Sequence, residues 1–216
     1  MKKRVLITGG GSKFGFELSS RFAEIGFEVD IISSTDVIHD NINSVKVDWS
    51  VINEQTLKKS IDSFSNVKFY DIIIFNHNTG GGPNETMFLP YVDYSIEEWT
   101  YHYFINCQIP FIILKYINKK IKPDTKIVWM ISGLVDGKWD EGWKYSGYAS
   151  FKSTNVHLMR GFSKYFPGIF LGMNPGHLEV DNYEGDSSIV RDTIINTKYE
   201  DSGKILYKTG HEWSML

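Results

Sequence analysis

Tyr148 and Lys152 are the residues whose types and spacing in this sequence best suit proton-transfer chemistry. They lie four positions apart in a stretch with helical patterning that runs to about Tyr165, so their side chains share one face of a helix. A phenol has a pKa of about 10 and is a poor acid or base at neutral pH. A fixed ammonium nearby favours the phenolate and lowers the pKa of the tyrosine, which can then exchange a proton with a carbonyl or alcohol oxygen.

Ser132 is the residue that could assist this pair. It follows a buried-type strand predicted over residues 126–131, and its hydroxyl could donate a hydrogen bond to the same substrate oxygen. Taken alone, a tyrosine and a lysine at this spacing are a frequent coincidence on helices. The pair therefore predicts catalysis only together with a cofactor site elsewhere in the chain.

The candidate for that cofactor site is a glycine-rich turn near the N-terminus. A short apolar strand over residues 5–8 is followed by three consecutive glycines, and after Phe14 apolar residues recur at helical intervals. Glycine lets backbone N–H groups approach a pyrophosphate closely, and the helix N-terminus beyond the turn attracts the anion. The alternative is an ordinary surface turn, because glycine-rich loops are common.

Composition and charge restrict the class of protein. The 216 residues suffice for one sizeable core, and no repeat or linker divides them, so we expect a single domain over residues 1–216. The formal net charge of −3 provides no electrostatic argument for binding nucleic acid or an anionic membrane. We expect neither a signal peptide nor a segment that spans a bilayer, because the apolar run after the basic N-terminus is too short for the first and no later stretch suffices for the second. The single cysteine, Cys107, excludes an internal disulfide and indicates the cytoplasm.

Strands and helices are predicted to alternate along the chain. Further strands are expected at about residues 28–33, 44–47 and 70–75, and the last is a continuous β-branched run typical of a parallel strand buried on both faces. Ser95 and Glu98 form a capping box that begins a long apolar helix with a kink at Pro110. Asn106 lies within this helix, where it either satisfies the backbone at the kink or belongs to a site.

The end of the second strand bears on the choice between NAD and NADP. Units that bind NAD carry an acidic residue there, which binds the ribose 2′-hydroxyl. Here the strand ends in Ser33 and Ser34, with Thr35 next and Asp36 as the first carboxylate. Hydroxyls do not repel a 2′-phosphate as a carboxylate would, so NADP(H) is slightly favoured over NAD(H), although Asp36 could still serve NAD.

Three polar residues near the predicted strand ends each allow more than one interpretation. Lys13 could meet a phosphate, or it is a solvated surface lysine. Asp48 could accept a hydrogen bond from an adenine amino group, or it is a turn residue. His77 follows the fourth strand, where α/β folds place ligands, and is predicted instead to be a loop residue that hydrogen-bonds locally.

In their order and spacing, the motifs resemble those of the short-chain dehydrogenase/reductase family of the classical type, over nearly the whole chain. Residues 8–15 resemble the glycine motif, and Ser132, Tyr148 and Lys152 align with the catalytic serine, tyrosine and lysine. The other matches are Asp48 with the adenine contact, Asn76 with the second asparagine of an Asn-Asn-Ala-Gly segment, Asn106 with the active-site asparagine, Pro175 and Gly176 with a Pro-Gly motif after the sixth strand, and residues 202–207 with the final strand.

The resemblance implies a fold and a set of roles. The fold is α/β: a Rossmann-like doubly wound parallel sheet of about seven strands with helices on both faces, in three αβα layers. Tyr148 would be the general acid/base, and Lys152 would bind the nicotinamide ribose. Ser132 would orient the substrate oxygen, and Asn106 would hold a water in a proton relay. The implied cofactor-binding residues are Gly9, Gly11, Ser12, Lys13, Phe14, Gly15, Ser33, Ser34, Asp48, Asn76, Tyr148, Lys152, Pro175 and Gly176.

The implied activity is hydride transfer between NAD(P) and a small carbonyl or alcohol substrate, without a metal. The two long apolar helices would pair across a two-fold axis into a homodimer or homotetramer. An epimerase or dehydratase on the same cofactor is a second enzymatic interpretation. A non-catalytic dinucleotide-binding sensor or scaffold is the third.

Two departures from the family's pattern motivate the non-catalytic interpretation. Lys13 stands where the second motif glycine falls, and its side chain could crowd or reposition a pyrophosphate. The segment after the fourth strand reads Phe75-Asn76-His77-Asn78 and keeps only one of the family's core positions.

The substrate is not specified by the sequence. Aromatic rings and a histidine on loops at the predicted active-site end could stack on it or pack within the protein, and these are Trp139, Trp143, Tyr145, His177 and Tyr183.

Overall fold

The computed structural model describes residues 2–49, 51–77, 93–136, 145–176 and 183–213. The strands in these residues are β1 (Arg4–Thr8), β2 (Glu28–Ser33), β3 (Ile42–Lys46), β4 (Tyr70–Phe75), β5 (Ile121–Met130), β6 (Ile169–Asn174) and β7 (Ile205–Tyr207). The α-helices are α1 (Lys13–Glu24), α2 (Glu54–Asp62), α3 (Ile96–Tyr103), α4 (Ile109–Ile117), α5 (Ser146–Phe162) and α6 (Tyr183–Asn196), and a π-helix (Phe104–Gln108) joins α3 to α4.

The seven described strands form one parallel sheet in the order β3-β2-β1-β4-β5-β6-β7. The chain runs outward from β1 through β2 and β3 on one side and through β4 to β7 on the other, so the order reverses between β1 and β4. The predicted doubly wound, Rossmann-like sheet is therefore confirmed. In such sheets ligands bind at the carboxyl ends of the strands, beside the point where the order reverses.

Two apolar layers cover the sheet, and alternate residues of each strand point into opposite layers. Leu6 and Ile73 pack in the layer that contains α2, α4 and α5. Ile7 and Ile72 pack in the layer that contains α1 and α6. Burying a side chain of this size contributes roughly 1.5–3 kcal/mol, and burial on both faces explains the continuous apolar runs of the central strands.

Two predicted strands agree with the structure at both ends, whereas β3 begins two residues and ends one residue before the predicted 44–47. β2 and β4 begin and end at the predicted residues. β5 begins earlier than predicted, because Ile121 already pairs with Tyr70 before a shift of register that leads to the Ile72–Lys126 pair. Within the described residues, no helix is both long and apolar enough to cross a lipid bilayer.

The long predicted helix, which is expected to end at about Lys120, consists of four consecutive helical segments: α3, the π-helix, α4 and a 3-10 turn (Asn118–Lys120). Its capping box is present: Ser95 Oγ accepts from the Glu98 N–H at 3.1 Å, and the Glu98 carboxylate accepts from the Ser95 N–H at 2.9 Å. In the π-helix, the Ile109 N–H bonds to Phe104 O, five residues back. Pro110 has no N–H and its ring disfavours the α-helical carbonyl geometry, so the irregularity lies in the turn before the proline.

Candidate active site

The sheet brings the predicted site residues to one edge from distant places in the chain. Asn76 follows β4, Ser132 follows β5, and Pro175 and Gly176 follow β6. Because all the strands are parallel, their carboxyl ends meet at this edge, together with the glycine turn that follows β1. Asn106 approaches from the π-helix in the layer of α4 and α5.

The glycine turn after β1 is closed by tight backbone contacts. Gly9 has φ of +68°, and its N–H donates to Ile32 O of β2 at 2.7 Å. A Cβ at Gly9 would lie 2.7 Å from the Cα of His77, so both the conformation and the space require glycine. Asn76 Nδ2 donates to Gly9 O at 3.2 Å, which ties the end of β4 to the same turn.

The N-terminus of α1 directly follows this turn. Ser12 is its N-cap, and Ser12 Oγ accepts from the Gly15 N–H at 3.1 Å. A Cβ at Gly15 would lie 2.2 Å from Gly9 O, so this position also needs glycine. Lys13 is the first helical residue and is exposed, whereas Phe14 is buried in the core. The helix N-terminus, with a cation on its first residue, fits the diphosphate of a dinucleotide.

Hydroxyl groups border the turn at the end of β2. Ser33 is buried, with its Oγ 3.2 Å from Thr35 Oγ1, and Ser34 is exposed. Thr35 Oγ1 in turn donates to Gly11 O at 3.2 Å, and a Cβ at Gly11 would lie only 2.1 Å from that hydroxyl oxygen. The nearest carboxylate, Asp36, is exposed and pairs with Lys46 at 2.8 Å. The negative charge of Asp36 at this strand end is therefore already paired with the ammonium of Lys46.

Asp48 and the Pro-Gly motif lie at two other strand ends. Asp48 is exposed just after β3, and its negative charge adds to burial in raising the pKa of Tyr101. Pro175 is buried, and Gly176 has φ of +71° with its N–H bonded to Asn174 Oδ1 at 2.9 Å. A Cβ at Gly176 would lie 2.4 Å from the Tyr207 hydroxyl, so this turn also depends on a glycine.

Tyr148 and Lys152 lie on one face of α5, as their spacing predicts. Lys152 Nζ is 5.6 Å from the centre of the Tyr148 ring, and both residues are buried. The ammonium donates to Met130 O, at the end of β5, at 2.9 Å. Burial lowers the pKa of Lys152 to about 8, so most molecules carry the positive charge beside the ring at neutral pH.

Ser132 follows the strand end that holds Lys152, and Asn106 lies in the π-helix, which contacts α5 through Cys107 and Phe151 O. Ser132 is half-buried two residues after Met130, whose carbonyl holds Lys152, and Ser132 Oγ accepts from the Leu134 N–H at 3.3 Å. Asn106 is buried, and its Nδ2 donates to His102 O at 2.9 Å. Asn106 thus satisfies backbone near the irregular turn, which is one of its two predicted interpretations.

His77 is the residue whose hydrogen-bond partners differ most from those predicted. Its predicted local hydrogen bonds are wrong, because Nδ1 lies 2.5 Å from Thr8 Oγ1 and Nε2 lies 2.8 Å from Ile105 O, contacts across 69 and 28 residues. Its ring stacks on Trp49 at 5.5 Å and meets Phe75 edge-on at 6.4 Å. Burial lowers the pKa of His77 to about 4, so the ring is neutral. The signal available in the sequence was a histidine two residues after a strand that is buried on both faces.

Several predicted residues fall outside what is described. Trp139, Trp143, Asn78 and His177 lie outside the described residues, as does the side chain of Tyr183. Among the described residues, no group of three or more His, Cys, Asp and Glu side chains could hold a metal ion.

Comparison with known proteins relates this fold to others. No family model and no curated protein matches the sequence. A carbonyl reductase from Pseudomonas aeruginosa matches with a TM-score of 0.80 at 15% identity, over 98% of this chain and 99% of that one. The carbonyl reductase Sniffer of D. melanogaster matches with a TM-score of 0.78 at 14% identity, over the same shares. A protein described as a short-chain dehydrogenase/reductase from Burkholderia multivorans, with bound NADP, matches with a TM-score of 0.78 at 16% identity, over 98% and 99%.

Proposed function

We propose that this chain, which has the fold of the short-chain dehydrogenase/reductases, is an NAD(P)-dependent oxidoreductase that transfers hydride between a nicotinamide cofactor and a carbonyl or alcohol substrate. The observation that carries the proposal is the Tyr148–Lys152 pair on α5. Its buried ammonium lies 5.6 Å from the centre of the phenol ring and is fixed by Met130 O, beside Ser132. Solved proteins of this fold include two carbonyl reductases and one protein with bound NADP, which supports the same class of reaction.

The roles of the residues follow from this geometry. The ammonium of Lys152 stabilises negative charge on the Tyr148 oxygen, so that this phenol can release a proton to the substrate oxygen or take one from it. Ser132 would donate a hydrogen bond to the same oxygen. Asn106, in the π-helix, would help to hold a water that connects Lys152 with solvent. When bound, the nicotinamide supplies or accepts the hydride.

The dinucleotide would lie along the strand ends. Gly9, Gly11 and Gly15 let the turn pack closely against its own neighbours beside the start of α1, where Lys13 would add a positive charge for the diphosphate. Asp48 would lie at the adenine end and Pro175–Gly176 at the nicotinamide end. We propose a preference for NADP(H). The hydroxyls of Ser33 and Ser34 lie at the end of β2, and the charge of Asp36 is paired with that of Lys46. A lower dissociation constant for NADH than for NADPH would contradict this preference.

Turnover by a Tyr148→Phe variant tests the mechanism. The protein is titrated with NADPH and NADH by fluorescence, and cofactor absorbance is then followed with a panel of aldehydes, ketones and sugars. Loss of the phenol should lower kcat by about 100-fold or more, because general acid–base catalysis contributes at least that factor, while cofactor affinity changes little. Tyr165→Phe is the matched control, since Tyr165 is 86% exposed, and it should behave as the parent protein.

The outcome also separates the competing functions. Activity unaffected by Tyr148→Phe would contradict the mechanism. Cofactor binding without turnover on the whole panel would favour the sensor or scaffold, which Lys13 at a motif glycine and the altered segment after β4 motivate. Stereochemical inversion or loss of water from a sugar, without net cofactor oxidation, would favour the epimerase or dehydratase.

We propose that the protein is a homodimer or homotetramer that pairs through α4 and α5. Phe111 on α4 is 45% exposed and stacks on Phe162 of α5 at 5.9 Å, so the two helices present a joint aromatic surface. Light scattering should give at least twice the chain mass, and a monomer would contradict the proposal.

The compartment we propose is the cytoplasm, on the evidence of the single, buried Cys107.

A further inference from the structure

We propose that His77 is a positioning residue: its imidazole supplies the hydrogen bond that Pro110 removes from the π-helix, and thereby holds Asn106 in place against the cofactor turn. The inference rests on the proposed oxidoreductase function only for its kinetic measurements. The structural part of the proposal stands on the contacts of His77 itself.

The first step is a carbonyl that the helix cannot satisfy. Ile105 O would accept from the Ile109 N–H in an α-helix and from residue 110 in a π-helix. The Ile109 N–H is bonded to Phe104 O instead, and Pro110 has no N–H. Ile105 is buried, so this carbonyl needs a donor from another part of the protein.

The second step is that His77 provides this donor in a fixed tautomer. A carbonyl oxygen can only accept, so the 2.8 Å contact with Ile105 O places the hydrogen on Nε2. The neutral ring then accepts at Nδ1 from the Thr8 hydroxyl at 2.5 Å. The ring is 6% exposed and is stacked on Trp49, so it has little freedom to turn. Burial and the positive charge of Lys152 both lower its pKa, which keeps the ring in this neutral form.

The third step is the connection that this bridge makes. Thr8 immediately precedes Gly9 of the cofactor turn, and Ile105 immediately precedes Asn106. One side chain therefore fixes the separation between the turn that would hold the cofactor and the helical segment that carries a proposed relay residue. Displacements of about 1 Å at such a site can reduce the rate by about 100-fold.

Two substitutions test the kinetic role, because each places an amide group at the position of one of the two ring nitrogens. In His77→Gln the amide N–H can reach the position of Nε2 and bond to Ile105 O, whereas in His77→Asn the amide reaches only the position of Nδ1, beside Thr8. We expect His77→Gln to keep kcat within about threefold, and His77→Asn to lose about tenfold or more. The dissociation constant for NADPH should stay within about threefold in His77→Asn, since the Thr8 side is preserved there.

A double-mutant cycle with Pro110→Ala tests the structural role without any turnover. The substitution supplies an N–H at position 110, so Ile105 O gains a main-chain donor in the π-register, or from Ile109 in the α-register. His77→Leu should lower Tm by about 4 °C or more in the parent protein, and by much less in the Pro110→Ala background. In ¹⁵N-labelled protein, the His77 ring should show the neutral tautomer with hydrogen on Nε2 at pH 7.

Equal kcat values for the His77→Gln and His77→Asn variants would overturn the proposal. So would the same loss of Tm in both backgrounds, or a tautomer with hydrogen on Nδ1. If the parent protein binds NADPH but turns over nothing, the oxidoreductase function fails, while the Tm cycle and the tautomer still decide the role of His77.

Discussion

Lys152 is buried with one hydrogen bond, to Met130 O, and its ammonium has lost most of its contact with water. Burial lowers its pKa from the ordinary 10.5 to about 8. Below pH 8 the folded and unfolded chains both carry the proton, and the cost of the buried charge is present in full. Between about pH 8 and 10.5 the unfolded chain binds more protons, so stability rises with pH and the cost disappears.

The residue-scale prediction is that Lys152→Met stabilises the protein while it abolishes turnover. At pH 7 the free energy of unfolding should increase by about 2 kcal/mol, less than the full linkage value because the hydrogen bond to Met130 O is lost. Urea unfolding at pH 7 and at pH 10.5 measures this. At the higher pH the gain should be lost, and the variant should be slightly less stable than the parent because the hydrogen bond to Met130 O is missing. The same change at the exposed Lys119 should have no effect, and a destabilised Lys152→Met variant at pH 7 would contradict the prediction.

Sequence and structure differ in what they reveal about single residues. Tyr148, Lys152 and Ser132 were named as candidates because their own chemistry and local spacing identify them. His77 was not, because its two ring partners, Thr8 and Ile105, are 69 and 28 positions away. A histidine's role follows from its neighbours, and a single sequence does not list neighbours that arrive by folding.

At the scale of the secondary-structure elements, Asp30 ties four strands together at the end of the sheet opposite the candidate site. Its fully buried carboxylate in β2 accepts from Arg4 of β1 at 2.9 Å, from Asn43 of β3 at 2.9 Å and from the Tyr70 hydroxyl of β4 at 3.0 Å. Burial, together with the negative charge of Asp30, raises the pKa of Tyr70, so its hydroxyl stays a donor. One carboxylate therefore fixes the relative positions of β1 to β4.

We expect Asp30→Ala to lower the free energy of unfolding by about 3–5 kcal/mol, because it leaves the buried Tyr70 hydroxyl and the Asn43 amide without this acceptor and removes one of the two carboxylates that pair with Arg4. Tyr70→Phe removes one neutral donor and should cost about 1 kcal/mol. Chemical denaturation of the two variants measures both values. Lys58→Ala, which breaks the exposed Lys58–Asp62 pair, is the control and should cause no measurable change. A small effect of Asp30→Ala would show that main-chain pairing and the apolar layers hold the four strands without help from this carboxylate.

Elements with strong local signals were predictable, and the others were not. β2 and β4 have the predicted bounds because each is a short apolar run between polar turns. Pro110 predicted an irregular helix, but the π-helix itself depends on a donor to Ile105 O from outside the helix. α6 was not predicted: Val190 and Ile194 pack in the layer of α1, but Ile189 on another face is 41% exposed, so the apolar pattern does not mark one buried face.

At the scale of the whole molecule, the proposed cofactor site joins segments that follow β1, β2, β3, β4 and β6. A ligand that binds only the folded chain stabilises it by mass action, so NADPH at about 100 times its dissociation constant should add about 2.7 kcal/mol and raise Tm by about 5–10 °C. At a fixed NADPH concentration the shift should be smaller at pH 9 than at pH 7, because Lys152 has then lost its charge in most molecules.

Differential scanning calorimetry with NADPH at the two pH values provides this measurement. Lys152→Met should give a shift that does not depend on pH between these values. The absence of a shift with NADPH and with NADH at both pH values would exclude a dinucleotide site in this chain.

Local patterns were enough to predict the α/β class, the glycine turn and the candidate tyrosine and lysine. Periodicity, glycine content and four-residue spacing are properties of neighbours in the chain, and the sequence displays them directly. Strand order, the bridge from Thr8 through His77 to Ile105 and the buried tie at Asp30 became visible only in the folded molecule. They join residues dozens of positions apart, and such contacts depend on how the strands pair and how the helices pack on them.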